Sequence, residues 1–219
     1  AYLQRFGIPV VAHAPSVGQN LQDHLDVNVQ YKCILPVTAY AQVSNPLKTI
    51  GIGLQYMLFG TGPGRSQGLE AGASVKSRPE LEVPDLQMHL FNAPFSDHGR
   101  KVLRMHAFGL HMCALRPESR GFVALKSTDP NDAPLIQPNY LSDPADQDLA
   151  VTSVKITRAI VSQPALAPYN PREFRPGPDI VDDDAIRTMA GQIATTIFHP
   201  VGTAAMGTHD RAVVDPALR

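Results

Sequence analysis

Tryptophan is absent from the chain, and cysteine occurs only at Cys33 and Cys113, which do not form a CxxC pair. Two thiols so arranged argue against a disulfide framework and against a thiolate metal site, and they favour a reducing cytoplasm. The lack of tryptophan removes the aromatic face that receives a cationic ligand best. No apolar run approaches the ~18 residues that a membrane-spanning helix needs, and no signal peptide opens the chain. Charge of one sign is never concentrated: 19 Lys and Arg stand against 20 Asp and Glu, a formal net charge of -1. With neither a basic stripe nor a block of like charge, nucleic acid and anionic membranes are not expected partners. A strand followed by GxGxxG is missing too, because GTGPG at Gly60 to Gly64 has another spacing and follows a helical pattern. What remains is an ordinary globular composition, 43% hydrophobic over 219 residues. That length supports one sizeable core or two small ones.

Periodicity supplies the elements. From Leu25 to Leu35, Val27, Val29, Tyr31 and Cys33 alternate with Asn28, Gln30 and Lys32, which predicts a half-buried strand. Asn45 followed by Pro46 is a cap with proline at the first helical position. Leu47, Ile50, Leu54, Met57 and Leu58 then recur at helical spacing as far as Gly60, a stripe expected to pack on a sheet. In Asp85 to Asn92, Leu86, Met88 and Leu90 oppose Gln87, His89 and Phe91, a strand whose second face is turned to a pocket or to solvent. His106 and His111 fall on opposite faces of the next predicted strand and cannot chelate a metal together; no other cluster has metal-ligand spacing. Gly121 to Ser127 reads as a short strand. Asp143 caps a helix beginning at Pro144, with Asp146 near its positive end and Leu149, Val154, Ile156, Ile160 and Val161 on its apolar face. A proline-rich connection, Pro164 to Pro178, leads to a last helix opened by Asp182 to Asp184, with Ile186, Met189, Ala190 and Ile193 on one stripe. Strands and helices mix without βαβ alternation, so the fold class is α+β.

Chemistry concentrates at FHPVGTAAMG, Phe198 to Gly207. Pro200 removes a backbone donor and drives His199 toward an extended conformation, which holds the imidazole at a rigid corner. Gly202 and Gly207 bracket small residues, so the backbone beyond the corner has room beside a flat, bulky group. On the residues alone, His199 is either a structural histidine at a turn or a reactive one. Asp23 and His24, neighbours in the NLQDH loop, read as a locally hydrogen-bonded or ion-paired couple with no catalytic role assigned.

FHPVGTAAMG with AVVDPALR (Ala212 to Arg219) resembles the signature near the carboxyl end of the glucose-methanol-choline (GMC) oxidoreductases, flavoproteins that oxidise alcohols. PSVGQNLQDH (Pro15 to His24), LRPESRGFVALKS (Leu115 to Ser127) and PLIQPNYLSDPADQD (Pro134 to Asp148) resemble further family segments in the same order. The resemblance implies an antiparallel sheet with helices packed on one face, together with terminal pieces of an FAD-binding α/β domain that is mostly missing. It divides the chain into residues 1–24 leaving the flavin domain, 25–180 forming the substrate-binding domain, and 181–219 carrying the histidine motif back. It implies FAD as cofactor, a small primary alcohol, choline-like or other, as substrate, and His199 as the catalytic base. Phe198, Pro200 and Val201 then lie against the cofactor, and Glu70 and His89 match substrate-facing positions of choline-type members. Leu69 stands where those members tend to have an aromatic residue, which weakens the choline reading. A hydroxynitrile-lyase type of the same fold and an inert, cofactor-free piece of a longer protein are the alternatives.

Overall fold

The computed structural model describes residues 2–93, 95–96 and 101–219. The strands are β1 (Gln19–Leu21), β2 (Leu25–Lys32), β3 (Leu69–Val75), β4 (Leu86–Phe91), β5 (Phe95–Ser96), β6 (Lys101–Val102), β7 (Ala107–Ala114), β8 (Gly121–Ala124), β9 (Leu135–Gln137), β10 (Arg172–Arg175) and β11 (Thr195–Thr196). The α-helices are α1 (Tyr40–Val43), α2 (Pro46–Phe59), α3 (Pro144–Val161) and α4 (Asp183–Ile193). The chain divides into two compact units: a sheet unit of Leu25–Arg116 and Gln147–Thr195, and a corner unit of Ala1–His24, Pro117–Asp146 and Thr196–Arg219. The fold class is the expected α+β.

The sheet unit is built on an antiparallel sheet in the order β10-β2-β7-β4-β3, with β11 joined to β2 beside that path. β2 corrects the sequence reading, because it is buried on both faces and not on one: Val27 and Val29 are buried, and so are Asp26, Asn28 and Gln30. Partners within the sheet meet part of the hydrogen-bonding capacity of these polar positions. Gln30 Nε2 donates to Asn28 Oδ1 at 3.0 Å. The Asp26 carboxylate meets His111 Nδ1 of β7 at 2.5 Å. Buried polar groups are tolerated where such partners exist. The strand containing His111 starts at Ala107, so His106 lies outside it and turns its Nδ1 to Thr38 Oγ1 at 3.0 Å.

Helix boundaries follow local chemistry. Asn45 Oδ1 accepts from the Leu47 and Lys48 amides at 2.9 and 3.4 Å, Pro46 starts α2, and Gly60 closes it at φ 63. The stripe on α2 does not pack on a sheet, however. None of its residues is buried, and Leu47 and Met57 are 79% and 81% exposed. Helical spacing identifies the helix but does not supply a surface to cover it. In α3 the buried residues are Asp146, Ala150, Val151, Ser153, Val154, Thr157 and Val161, while Leu149, Ile156 and Ile160 are only half-buried. Ser153 fits there because its hydroxyl donates to the Leu149 carbonyl at 2.8 Å. The connection after α3 holds an unexpected strand, β10, which pairs with β2. Arg158 fixes that strand by donating to both carboxylate oxygens of Glu173, at 2.9 and 2.7 Å. α4 follows the expected pattern, capped by Asp182 with Ile186, Met189 and Ala190 buried.

In the corner unit, β1, β8 and β9 form an antiparallel sheet in the order β1-β8-β9. The start of α3 braces it: Asp146 accepts from the Glu118 and Ser119 amides at 2.9 and 2.8 Å.

Candidate active site

His199 sits where two stretches of the corner unit run side by side. Gln22 and Val201 exchange backbone hydrogen bonds of 2.9 and 2.8 Å, and the Gly18 amide donates to the Thr203 carbonyl at 2.9 Å. Gly202 is required for this approach: its φ is +99, and a Cβ there would stand 2.1 Å from the Asn20 carbonyl oxygen. Just before the histidine, Phe198 takes φ 64, a left-handed conformation unusual for a bulky residue, and its amide donates to Thr196 Oγ1 at 2.8 Å.

Asp23 is the centre of the arrangement. Its side chain is buried, and one carboxylate oxygen accepts from both Tyr140 Oη and Thr196 Oγ1 while the other accepts from the His199 amide at 3.0 Å. Two stretches distant in sequence, one carrying Tyr140 and the other Thr196 and His199, therefore converge on one carboxylate. Burial, and next the hydrogen bond to Asp23, push the Tyr140 phenol well above its ordinary range, so it remains a donor. The neighbouring His24 places its Nδ1 3.3 Å from His199 Nδ1, with the rings edge-on at 71°. Asp23 and His24 were read from the sequence as a local couple; instead each serves the corner around His199. Their adjacency was visible, but the partners Tyr140, Thr196 and His199 are too far along the chain for any local pattern to reveal.

Phe198 and Val201, next to His199 and two residues beyond it, are 71% and 61% exposed. Exposed apolar side chains, a close-approach glycine and an exposed imidazole suit the edge of a flat ring such as the flavin of FAD. No strand, glycine turn and helix amino terminus among the described residues forms a phosphate cradle. What the described residues offer is therefore suited to a flat ring, which Phe198, Pro200 and Val201 would border, and not to the phosphates of a dinucleotide.

Glu70 and His89 belong to the sheet unit. Glu70 lies on the exposed edge strand β3 and accepts from Ser66 Oγ at 2.6 Å. His89, half-buried on β4, stands opposite Gly72 of β3 and His111 of β7. It therefore shares a sheet face with the paired Asp26 and His111, against which the Phe91 ring lies at 4.4 Å between centroids. Among the described residues no group of three His, Cys, Asp or Glu could hold a metal ion, and no helix is long and apolar enough to cross a membrane.

The fold is shared with oxidases of known structure. The crystal structure of a formate oxidase superposes with a TM-score of 0.87 at 22% identity, covering 100% of this chain and 43% of that one. The family profile for GMC oxidoreductases matches residues 117–219, which carry that family's carboxyl-terminal domain. It is 40% identical to the mitochondrial choline dehydrogenase of Homo sapiens over 99% of this chain and 37% of that protein. It is also 41% identical to an alcohol dehydrogenase (acceptor) of Pseudomonas putida, over 100% of this chain and 40% of that protein. The chain thus spans less than half the length of these relatives.

Proposed function

We propose that this chain supplies the proton-accepting side of an FAD-dependent oxidation of a primary alcohol, carried out by a protein of its relatives' length. The observation that carries the reading is His199, an exposed imidazole whose backbone is pinned by a buried carboxylate. FAD, when bound, supplies the hydride acceptor. His199 would take the hydroxyl proton onto its imidazole as the alcohol is oxidised to the aldehyde, the hydride leaving to the acceptor that FAD would supply. Imidazole suits this step because its ordinary pKa of ~6.5 lets it accept a proton near neutral pH. Phe198, Pro200 and Val201 would bound the ring and keep the imidazole beside the reacting carbon. Glu70 and His89 are proposed as substrate-facing groups, the carboxylate suiting a cationic or hydroxyl-rich alcohol. The names of the choline and alcohol dehydrogenase relatives support an alcohol substrate.

The test is rapid mixing of alcohol with the FAD-loaded protein that carries this chain. His199→Ala is expected to slow flavin reduction ~10²- to 10⁴-fold with FAD still bound, the range for a positioned base. Reduction at the parent's rate would leave His199 a structural corner. In the same experiment Glu70→Gln should alter alcohol affinity or preference and not flavin content; identical affinities for charged and neutral alcohols would remove Glu70 from the site.

A further inference from the structure

The pair of imidazoles has a chemical constraint that bears on the proposed base. His199 and His24 meet through the same atom type, Nδ1 to Nδ1 at 3.3 Å. Between two neutral rings, one Nδ1 must carry the hydrogen and the other must present its lone pair. If His24 were the donor, His199 would hold its own hydrogen on Nε2 and have its Nδ1 lone pair occupied, leaving no nitrogen to take a proton. If His199 donates, its Nδ1–H is satisfied by His24 and its Nε2 lone pair is open.

We propose that His24 is the positioning residue that sets the tautomer of His199, by accepting its Nδ1–H and leaving Nε2 as the basic atom. The inference rests on the reading of His199 as the base. The surrounding contacts leave the task to His24: both oxygens of Asp23 are engaged by Tyr140, Thr196 and the His199 amide, so the carboxylate fixes the backbone and not the ring. His24 is itself half-buried, and its carbonyl accepts from the Ile197 amide at 3.4 Å, which ties its backbone to the segment that carries His199. As the alcohol proton arrives at Nε2, the growing positive charge strengthens the hydrogen bond from Nδ1–H to His24. The proton then leaves from Nε2 to solvent, and the pair returns to its starting form. His24 acts only through His199 and touches neither alcohol nor cofactor.

The experiment compares His24→Leu, which removes the acceptor, with His24→Asn, which restores an acceptor oxygen, both in the FAD-loaded protein. For His24→Leu, flavin reduction at saturating alcohol should fall about 10- to 100-fold, as for loss of a group that orients a histidine. FAD content and the apparent dissociation constant of the alcohol should stay unchanged. His24→Asn should recover most of the lost rate, and His24→Leu placed on His199→Ala should add no further loss. A parent-like rate in fully loaded His24→Leu, or a His24→Asn variant as slow as His24→Leu, would overturn the proposal. Should His24→Leu fail to hold FAD, His24→Asn decides alone: a near-parent rate supports the acceptor role and a slow one removes it. The two readings fail differently. His199→Ala at the parent's rate eliminates the base itself, whereas slow His199→Ala beside fast His24→Leu eliminates only the role of His24.

Discussion

The sheet unit and the corner unit are held together by different forces. Apart from Leu21, every buried hydrophobic side chain among the described residues belongs to the sheet unit, including Val29, Leu86, Leu110, Met112, Val154 and Ile186. The corner unit relies on carboxylates that collect donors: Asp23 gathers a phenol, a hydroxyl and an amide, and Asp146 two amides. Apolar packing is roughly proportional to area and tolerates small displacements, whereas a hydrogen bond weakens steeply away from its geometry. The sheet unit is held chiefly by burial, with ion pairs such as Arg158–Glu173 fixing its edge strand. The corner unit, which on the proposed function has an imidazole to aim, depends on hydrogen-bond geometry instead.

Substitutions in the two units should separate stability from rate. The largest stability loss is expected for Leu110→Ala, a fully buried side chain at the centre of the sheet, at about 3 to 4 kcal/mol by denaturant titration. At temperatures where the variant remains folded, its flavin reduction should match the parent's; a large kinetic defect there would break the division of labour. Asp23→Asn should cost less, about 2 kcal/mol, since one acceptor oxygen becomes a donor facing other donors. Its rate of flavin reduction should nevertheless fall by more than that of Leu110→Ala. A parent-like rate would mean that the corner keeps its aim without its hub.

Tyr140→Phe is the mildest change, about 1 kcal/mol at neutral pH for one lost hydrogen bond, and it adds a pH signature. Tyr140 in the corner unit and Tyr31 in the sheet unit both have phenols raised above their ordinary value, in each case first by burial and then by a nearby carboxylate, Asp23 or Glu173. A raised folded pKa means that the folded state keeps a proton the unfolded chain gives up. The contribution is complete below pH ~10 and is lost as pH rises above it. Stability should therefore decline in alkali for the parent, and less steeply for Tyr140→Phe. An unchanged alkaline slope would show that the phenol of Tyr140 carries no part of it.

What could be read from the chain beforehand tracks the range of the interaction. The ends of α2 were legible because Asn45, Pro46 and Gly60 act on backbone groups a few residues away. The same holds for Asp182 before α4 and Asp143 before α3, whose carboxylates cap the adjacent amides. The position of β2 was legible from its alternation, but its burial was not, because the partner of Asp26 is His111 on another strand. β10 was hidden for a related reason: REFR has no apolar alternation, and the strand exists through its ladder to β2 and the Arg158–Glu173 pair. At the site, His199 stood out beside Pro200, as did the family motif around it. The roles of Asp23 and His24 did not, since three stretches distant in sequence must fold together before either has a partner.

Phe198 has a consequence for anyone who would improve this protein by directed evolution. Its left-handed backbone, φ 64, carries a penalty of about 1 to 2 kcal/mol that glycine would not incur. A library screened only for heat tolerance therefore has an incentive to place glycine at this position. Such a winner would gain freedom in the residue leading into His199 and lose an apolar side chain beside it, exchanging turnover for robustness. Selection at this position should be run on product formation, with thermal tolerance as the secondary filter.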